Sequence, residues 1–348
     1  MTLDSFLQEA AKKQASDFHL IADLPAFLRI NGQLTELDKK VLKASDIELL
    51  VRKSIGEEKF SKFLVLKEMD LAYEVPDGTR FRVNLSWERG SVSLAARTIP
   101  SEIPTMEDIA MPEIMYDLCN YDRGLILVTG PTGCGKSTSL AAMINYINQT
   151  RRTNIITLED PIEFVFKPIK SIIRQRQLGN DMLSFEEGLV HVLRQDPNVI
   201  MVGEMRNLET IAATITLAET GHLVFATLHT YSAAQTIDRI IDIFPPHQQN
   251  QVRMQISITL KGIVAQRLLP SLNNGRVAAR EILINTPAVA NLIRENKVAQ
   301  INTAIQTGAK EGMITMDSVL TGLFKNKEIS QETLDANLSL IGGKNRLV

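Results

Sequence analysis

Residues Gly130-Pro131-Thr132-Gly133-Cys134-Gly135-Lys136-Ser137 spell G-x-x-x-x-G-K-[ST] in full, and no other stretch limits the fold as tightly. The pattern has chemical force only where a strand delivers the loop and a helix leaves it. Residues 125–128 are a strand-like apolar run directly before it, and residues 138–148 have helical character directly after it. In that setting the glycines let backbone N–H groups curl round phosphate oxygens, and the helix adds its positive N-terminal end. Lys136 is expected to reach the β- and γ-phosphates of ATP and the Ser137 hydroxyl to ligate Mg2+, with Thr132, Gly133, Cys134, Gly135 and Thr138 completing the cradle. Cys134 reads as a spacer in this loop and not as a redox switch.

Apolar runs at 125–128, 155–158, 199–202 and 223–227 alternate with helix-length segments, which implies a parallel sheet covered by helices. Ligands of such sheets sit beyond the carboxyl ends of the strands. Glu159, Asp160 and Glu163 follow the second run, Gly203 and Glu204 follow the third as in a Walker B element, and His229 follows the fourth. Singly, each acid reads more commonly as a helix cap or a solvated charge. Together they bring acid or imidazole to the edge that carries the phosphate loop, as hydrolysis of a phosphoanhydride requires. Glu204 stands where Mg2+ is usually held through water, which leaves Glu163 as the expected base, with Glu159 beside them. His229 is the candidate sensor of the γ-phosphate. His222 lies seven residues earlier, about 23 Å of extended strand, so the two histidines do not share a metal ion. A structural or subunit-interface role suits His222.

The flanking regions divide the chain. Residues 1–100 read as a small α+β domain with an antiparallel sheet: an amphipathic opening helix, a tight turn at Asn31-Gly32, a helix capped by Ser45 and running towards Leu66, and a hairpin round Pro76-Asp77-Gly78. Pro100, Ser101, Pro104 and Pro112 mark a linker over 101–116. The α/β core then spans 117–285, and the periodicity of 286–348 is mainly helical. A formal net charge of −2 gives no support to a nucleic-acid translocase, and two cysteines make neither a disulfide framework nor a four-cysteine zinc module. No apolar stretch approaches the ~20 residues of a membrane span, and the amino terminus lacks a signal-peptide layout, so a cytoplasmic protein is expected. A small-molecule kinase would need an arginine-bearing lid, and no segment reads as one.

The phosphate loop, Thr157-Leu158-Glu159-Asp160-Pro161-Ile162-Glu163-Phe164, Val202-Gly203-Glu204-Met205-Arg206, and the stretch from Thr220-Gly221-His222 to Leu228-His229-Thr230 occur in that order. They resemble the Walker A, Asp box, Walker B and His box of the secretion/type IV pilus ATPase superfamily (GspE/PilT family). Ala15-Ser16-Asp17-Phe18-His19-Leu20 and Gln306-Thr307-Gly308 are similar to the pilus-retraction branch, so the resemblance covers essentially the whole chain. It implies a homohexamer, a PAS-like N-terminal domain, a RecA-like C-terminal core, and ATP held between the two with help from Arg80, Arg82 and Arg97. It implies a motor that retracts type IV pili for twitching motility through an inner-membrane platform protein (PilC-like) at the cytoplasmic face, without nucleic acid. Alternatives in the superfamily are a PilU-like accessory paralogue, which is also a possible partner, and a pilus-assembly or secretion ATPase. The retraction motif is matched by Asn291, Leu292, Ile293, Arg294 and Glu295, while Ala290 replaces its first arginine. Asn207, where the family often has Asp, is expected to cap the next helix.

Overall fold

Unbroken apolar runs fit strands covered on both faces, whereas alternating runs fit a sheet with one face on a core. The computed structural model contains both kinds, in two compact units: residues 1–102 with 161–165, and residues 103–160 with 166–348. It describes residues 2–30, 32–99, 102–273 and 275–341. Asn31 of the expected turn, Pro100 and Ser101 of the expected linker, and 342–348 of the C-terminal region lie outside the described residues.

In the first unit, helix α1 (Leu3–Lys12) starts at Thr2, whose hydroxyl accepts from the Ser5 amide, and buries Leu3, Phe6, Leu7 and Ala10. Strands β1 (Asp17–Leu20), β2 (Phe27–Ile30) and β3 (Gln33–Glu36) precede helices α2 (Ala44–Ile55) and α3 (Glu57–Leu66). Strands β4 (Glu68–Glu74), β5 (Arg80–Glu88) and β6 (Ser91–Ile99) complete an antiparallel sheet of order β3-β2-β1-β6-β5-β4. The expected hairpin joins β4 to β5, with the Gly78 amide donating to the Val75 carbonyl at 2.8 Å. Alternation along β5 sends Phe81, Val83 and Leu85 into the core with Phe18, Phe60 and Phe63, and leaves Arg80 and Arg82 on the other face. The Ser45 cap is corrected: Lys43 is the cap residue, its amide donating to the Asp46 carboxylate at 3.0 Å, and Ser45 lies inside the helix. The run to Leu66 is two helices and not one, since Gly56 ends α2 and opens α3.

In the second unit, α4 (Ile114–Cys119) leads to β7 (Gly124–Thr129), α5 (Lys136–Thr150), β8 (Asn154–Glu159), β9 (Ile172–Gln177), α6 (Phe185–Val192) and β10 (Val199–Val202). Then follow α7 (Leu208–Glu219), β11 (Leu223–Leu228), α8 (Ala233–Asp242), α9 (Pro246–Thr259), β12 (Leu260–Pro270) and β13 (Arg276–Ile284). Helices α10 (Pro287–Arg294), α11 (Ile301–Thr307), α12 (Met316–Lys325) and α13 (Gln331–Ile341) make the helical end. The sheet order is β13-β12-β7-β11-β10-β8-β9, and every pair is parallel except β12 with β13. Every residue of β7, β10 and β11 is buried, as continuous apolar strands demand. Each Leu, Ile or Val so placed contributes about 1.5–3 kcal/mol. The four runs of the sequence are β7, β8, β10 and β11, so the mixed α/β class with a mostly parallel second sheet holds. Strands β9, β12 and β13 were not foreseen.

Asn207 caps α7 as expected, its side-chain oxygen accepting from the Thr210 amide at 3.0 Å while its amide donates to Glu186 at 2.8 Å. Asn207→Ala is expected to cost about 1 kcal/mol, or about 2–4 °C in the melting temperature of this unit. Asn207→Ser should keep most of it, and equal melting of all three proteins would remove the cap from the account.

Candidate functional site

The phosphate loop leaves β7 at Gly130, where φ is 144° and a Cβ would collide with the Gln266 carbonyl oxygen of β12. Only glycine can turn the chain there. The loop closes at the start of α5, whose Lys136 is 9% exposed. Its Nζ donates to the Gly130 carbonyl at 2.7 Å and the Pro131 carbonyl at 3.1 Å, and stands 3.4 Å from His229 Nδ1. An ammonium only donates, so Nδ1 accepts and the proton of a neutral ring sits on Nε2. That nitrogen faces Glu204 Oε1 at 3.1 Å. Glu204 Oε2 accepts from Arg206 Nε at 2.9 Å, and Arg206 Nη1 reaches Asp160 at 3.3 Å. A continuous polar chain therefore runs Lys136–His229–Glu204–Arg206–Asp160 across the carboxyl ends of the sheet.

Strand register produces this meeting. Val202 is level with Leu158 of β8 and Ala226 of β11, and Leu228 is level with Thr129 of β7. The residues that follow are thus delivered side by side. The Gly203 amide donates to the Leu158 carbonyl at 2.7 Å, and the Met205 amide to the Thr227 carbonyl at 3.1 Å. The Thr227 hydroxyl donates to the Gly203 carbonyl, so the turn after β10 is tied to both neighbours. Glu159 is buried at the end of β8, accepting from the Thr157 hydroxyl at 2.6 Å and from Gln175 at 3.1 Å. His222 is at the opposite end of β11, its Nδ1 3.0 Å from the Leu217 carbonyl and 3.2 Å from the Thr220 hydroxyl.

These residues fit a magnesium–nucleoside triphosphate. Thr132 and Gly133 are exposed at the loop tip, Ser137 and Thr138 are partly exposed on the first turn of α5, and an ammonium and a carboxylate approach from either side. Cys134 turns inward beneath the loop, where burial pushes its thiol above the usual range, against the pull of Lys136. Burial pushes the Cys119 thiol up to about 12. Both thiols are held in the unreactive form, which agrees with Cys134 as a spacer.

The remaining candidates belong to the first unit and to α10. Glu163 is exposed, in the segment 161–165 that groups with the first unit. In that unit Arg80 pairs with Glu74 at 3.7 Å, Arg82 with Asp70 at 4.0 Å and Arg97 with Asp17 at 2.8 Å. In α10, Ile293 is buried and Leu292 packs partly on the core, while Asn291, Arg294 and Glu295 are exposed. Asn291 donates to Glu295 at 2.9 Å and accepts from Arg294 at 3.4 Å. Ala290 is buried. Arg206, Gln266, Arg280 and Glu281 all serve this region and were not singled out for it in the sequence. Glu281 accepts from the Ala233 amide at 2.8 Å and the Met316 amide at 3.4 Å, holding the starts of α8 and α12 beside the loop. Burial, ahead of those two bonds, raises its carboxyl.

The model of the family "Type II/IV secretion system protein" matches residues 1–331. The chain is 46% identical over 332 residues to the type IV pilus retraction ATPase PilT of Pseudomonas aeruginosa, covering 95% of this chain and 96% of that one. It is 44% identical to a twitching motility protein of Neisseria gonorrhoeae, covering 94% and 88%. A crystal structure of the pilus retraction motor PilT with bound ADP superimposes with a TM-score of 0.91 at 45% identity, covering 96% of each chain.

Within the first unit, burial would raise the Asp17 carboxyl, but the Arg97 and Ser16 hydrogen bonds and the Arg97 charge hold it below the ordinary range. A carboxyl lowered by folding stabilises above its unfolded pKa of about 3.9, and that stability is lost as pH falls through the folded value. Because Arg97 is 73% exposed, solvent screens the pair to about 1 kcal/mol or less. Asp17→Asn should therefore melt below wild type at pH 7, and the gap should narrow as the pH falls below about 4. A gap that persists unchanged in acid would contradict this.

Proposed function

The chain belongs to the Type II/IV secretion system protein family, and from that premise we propose that it is a motor ATPase that drives type IV pilus retraction. The observation that carries the reading is the direct link from the Lys136 ammonium through His229 to the Glu204 carboxylate. Phosphate binder and acid are already joined by a side chain that touches both. Full-length similarity to a retraction ATPase and to a twitching motility protein supports retraction over other branches.

Lys136 exchanges the Gly130 and Pro131 carbonyls for phosphate oxygens, an ammonium moving from neutral acceptors to anionic ones. Ser137 and Glu204 would hold Mg2+, Glu204 through water, and the ion would supply charge to offset that developing on the phosphoryl group. Loop amides of Thr132 to Thr138 cradle the phosphates. His229 reports the γ-phosphate to Glu204 through Lys136, because its ring touches both the ammonium that binds that phosphate and the carboxylate. Glu163 takes the proton of the attacking water, with Glu159 supporting that edge of the sheet. Arg80, Arg82 and Arg97 exchange their carboxylate partners for nucleotide phosphate. His222, remote from the loop along β11, serves an interface between copies.

The functional division is an N-terminal domain at 1–100, a linker at 101–116, the ATPase core at 117–285 and a C-terminal region at 286–348. The working assembly is a homohexamer at the cytoplasmic face of the inner membrane, acting on a pilus platform protein through Asn291 to Glu295, with a PilU-like paralogue as a further partner. No helix among the described residues is long and apolar enough to cross a membrane.

Replacing the chromosomal copy in the native host by Lys136→Ala tests this, with surface pili counted and twitching measured. Abundant pili without movement are expected. Loss of pili would assign the motor to assembly or secretion instead.

A further inference from the structure

Gln266 of β12 and Arg280 of β13 face each other across the one antiparallel pair of the second sheet. Both are buried, at 2% and 5% exposure. Ala265 is level with Thr129, so Gln266 stands directly beside the point where the phosphate loop leaves β7. Its carbonyl oxygen is the atom that a Cβ on Gly130 would strike, and its Nε2 lies 2.9 Å from where a Cβ on Gly135 would be. One residue therefore crowds both ends of the loop. The Gln266 amide donates to the Cys134 carbonyl at 2.5 Å, and its Oε1 accepts from the Ser139 hydroxyl at 2.8 Å and from Arg280 Nε at 3.2 Å.

Arg280 carries the chain of bonds onward. Its two Nη groups donate to the carbonyls of Ala110 at 3.1 Å and Ile109 at 3.0 Å. Those carbonyls belong to a closed turn: the Thr105 amide donates to Asp108 at 2.8 Å, the Asp108 amide to the Thr105 hydroxyl at 3.1 Å, and the Met111 amide to the Met106 carbonyl at 2.9 Å. Ala110 is held at φ 47°, a conformation that a residue with a Cβ rarely adopts. This is the segment by which the chain, coming from the first unit, enters the second. Burial draws the Arg280 guanidinium down to about 10, so at neutral pH it stays a cation, and its partners are all neutral oxygens. A buried cation without a carboxylate is a costly way to gain stability. Its geometric return is to fix two backbone carbonyls and one amide side chain at once.

We propose that Gln266 and Arg280 are positioning residues for the ATPase: Gln266 shapes the phosphate loop, and Arg280 ties that loop to the entry segment 105–111, so that nucleotide binding is felt there. This rests on the reading of the loop as an ATP site. Binding of a fluorescent ADP analogue with Mg2+ by wild type is therefore measured first, and failure at that step overturns the functional reading itself.

With wild type binding, Gln266→Glu keeps acceptors for Ser139 and Arg280 but removes the donor to Cys134, and Gln266→Met removes all three bonds at similar size. Both should bind the analogue about tenfold more weakly or worse. Gln266→Glu should melt within a few degrees of wild type, because its carboxylate gains Arg280. Affinity equal to wild type in both variants overturns the role of Gln266. Amide exchange in 105–111 should slow when wild type binds the nucleotide, and Arg280→Met should lose that slowing while binding within about fivefold of wild type. Unchanged exchange in wild type, or the same slowing in Arg280→Met, overturns the tie to the entry segment.

Discussion

A parallel sheet buried on both faces can show its chemistry only at its ends, and the second unit is arranged around that constraint. Strands β7, β10 and β11 are buried throughout and carry no charged group, and the polar side chains they contain, Thr129 and Thr227, lie at or near their carboxyl ends. The polar residues that this unit gives to the proposed site stand at a strand's carboxyl end, follow it, or brace a loop that does. Parallel register fixes which residues meet: because β10 lies between β8 and β11, and β11 lies beside β7, the residues after these strands share one edge. The site owes its geometry to the core beneath it, and a slip of one residue in any of these strands would put the residues after it out of level with their neighbours.

The polar chain from Lys136 to Asp160 gives that edge a definite electrostatic order. The ammonium rests on carbonyls of its own loop, which are weaker partners than phosphate oxygens. His229 stands between it and Glu204, and Arg206 holds the far oxygen of that carboxylate. Lys136 can thus change partners without leaving a buried charge unpaired, and the carboxylate keeps its orientation while it does so.

Much of this was legible in the sequence because the signals were local. The phosphate loop, the four apolar runs and the residues directly after them are read from spacing alone, and His229, Glu204 and Lys136 do meet. The hairpin at Pro76-Asp77-Gly78 and the Asn207 cap were readable for the same reason. What escaped depends on partners distant in sequence. Strand β9 is mostly polar, and β3 is exposed throughout, so neither shows an apolar pattern. Strand β12 follows α9 without a break, which hides its start. Gln266 bonds Ser139 across 127 residues and Arg280 bonds Ile109 across 171, and no spacing rule links such pairs. Ser45 differs in kind: a good capping residue is present, but Asp46 forms the bond, three positions on from the true cap at Lys43.

The central claim is that this edge hydrolyses ATP through a carboxylate set by His229 and Arg206. Its most direct test is the steady-state turnover of magnesium ATP by the purified protein beside Glu204→Gln, with nucleotide affinity measured on both. The account predicts turnover by wild type and a loss of about 100-fold or more in kcat for the variant, with affinity changed only a few-fold. Equal turnover by the two proteins, or none by wild type, would contradict it.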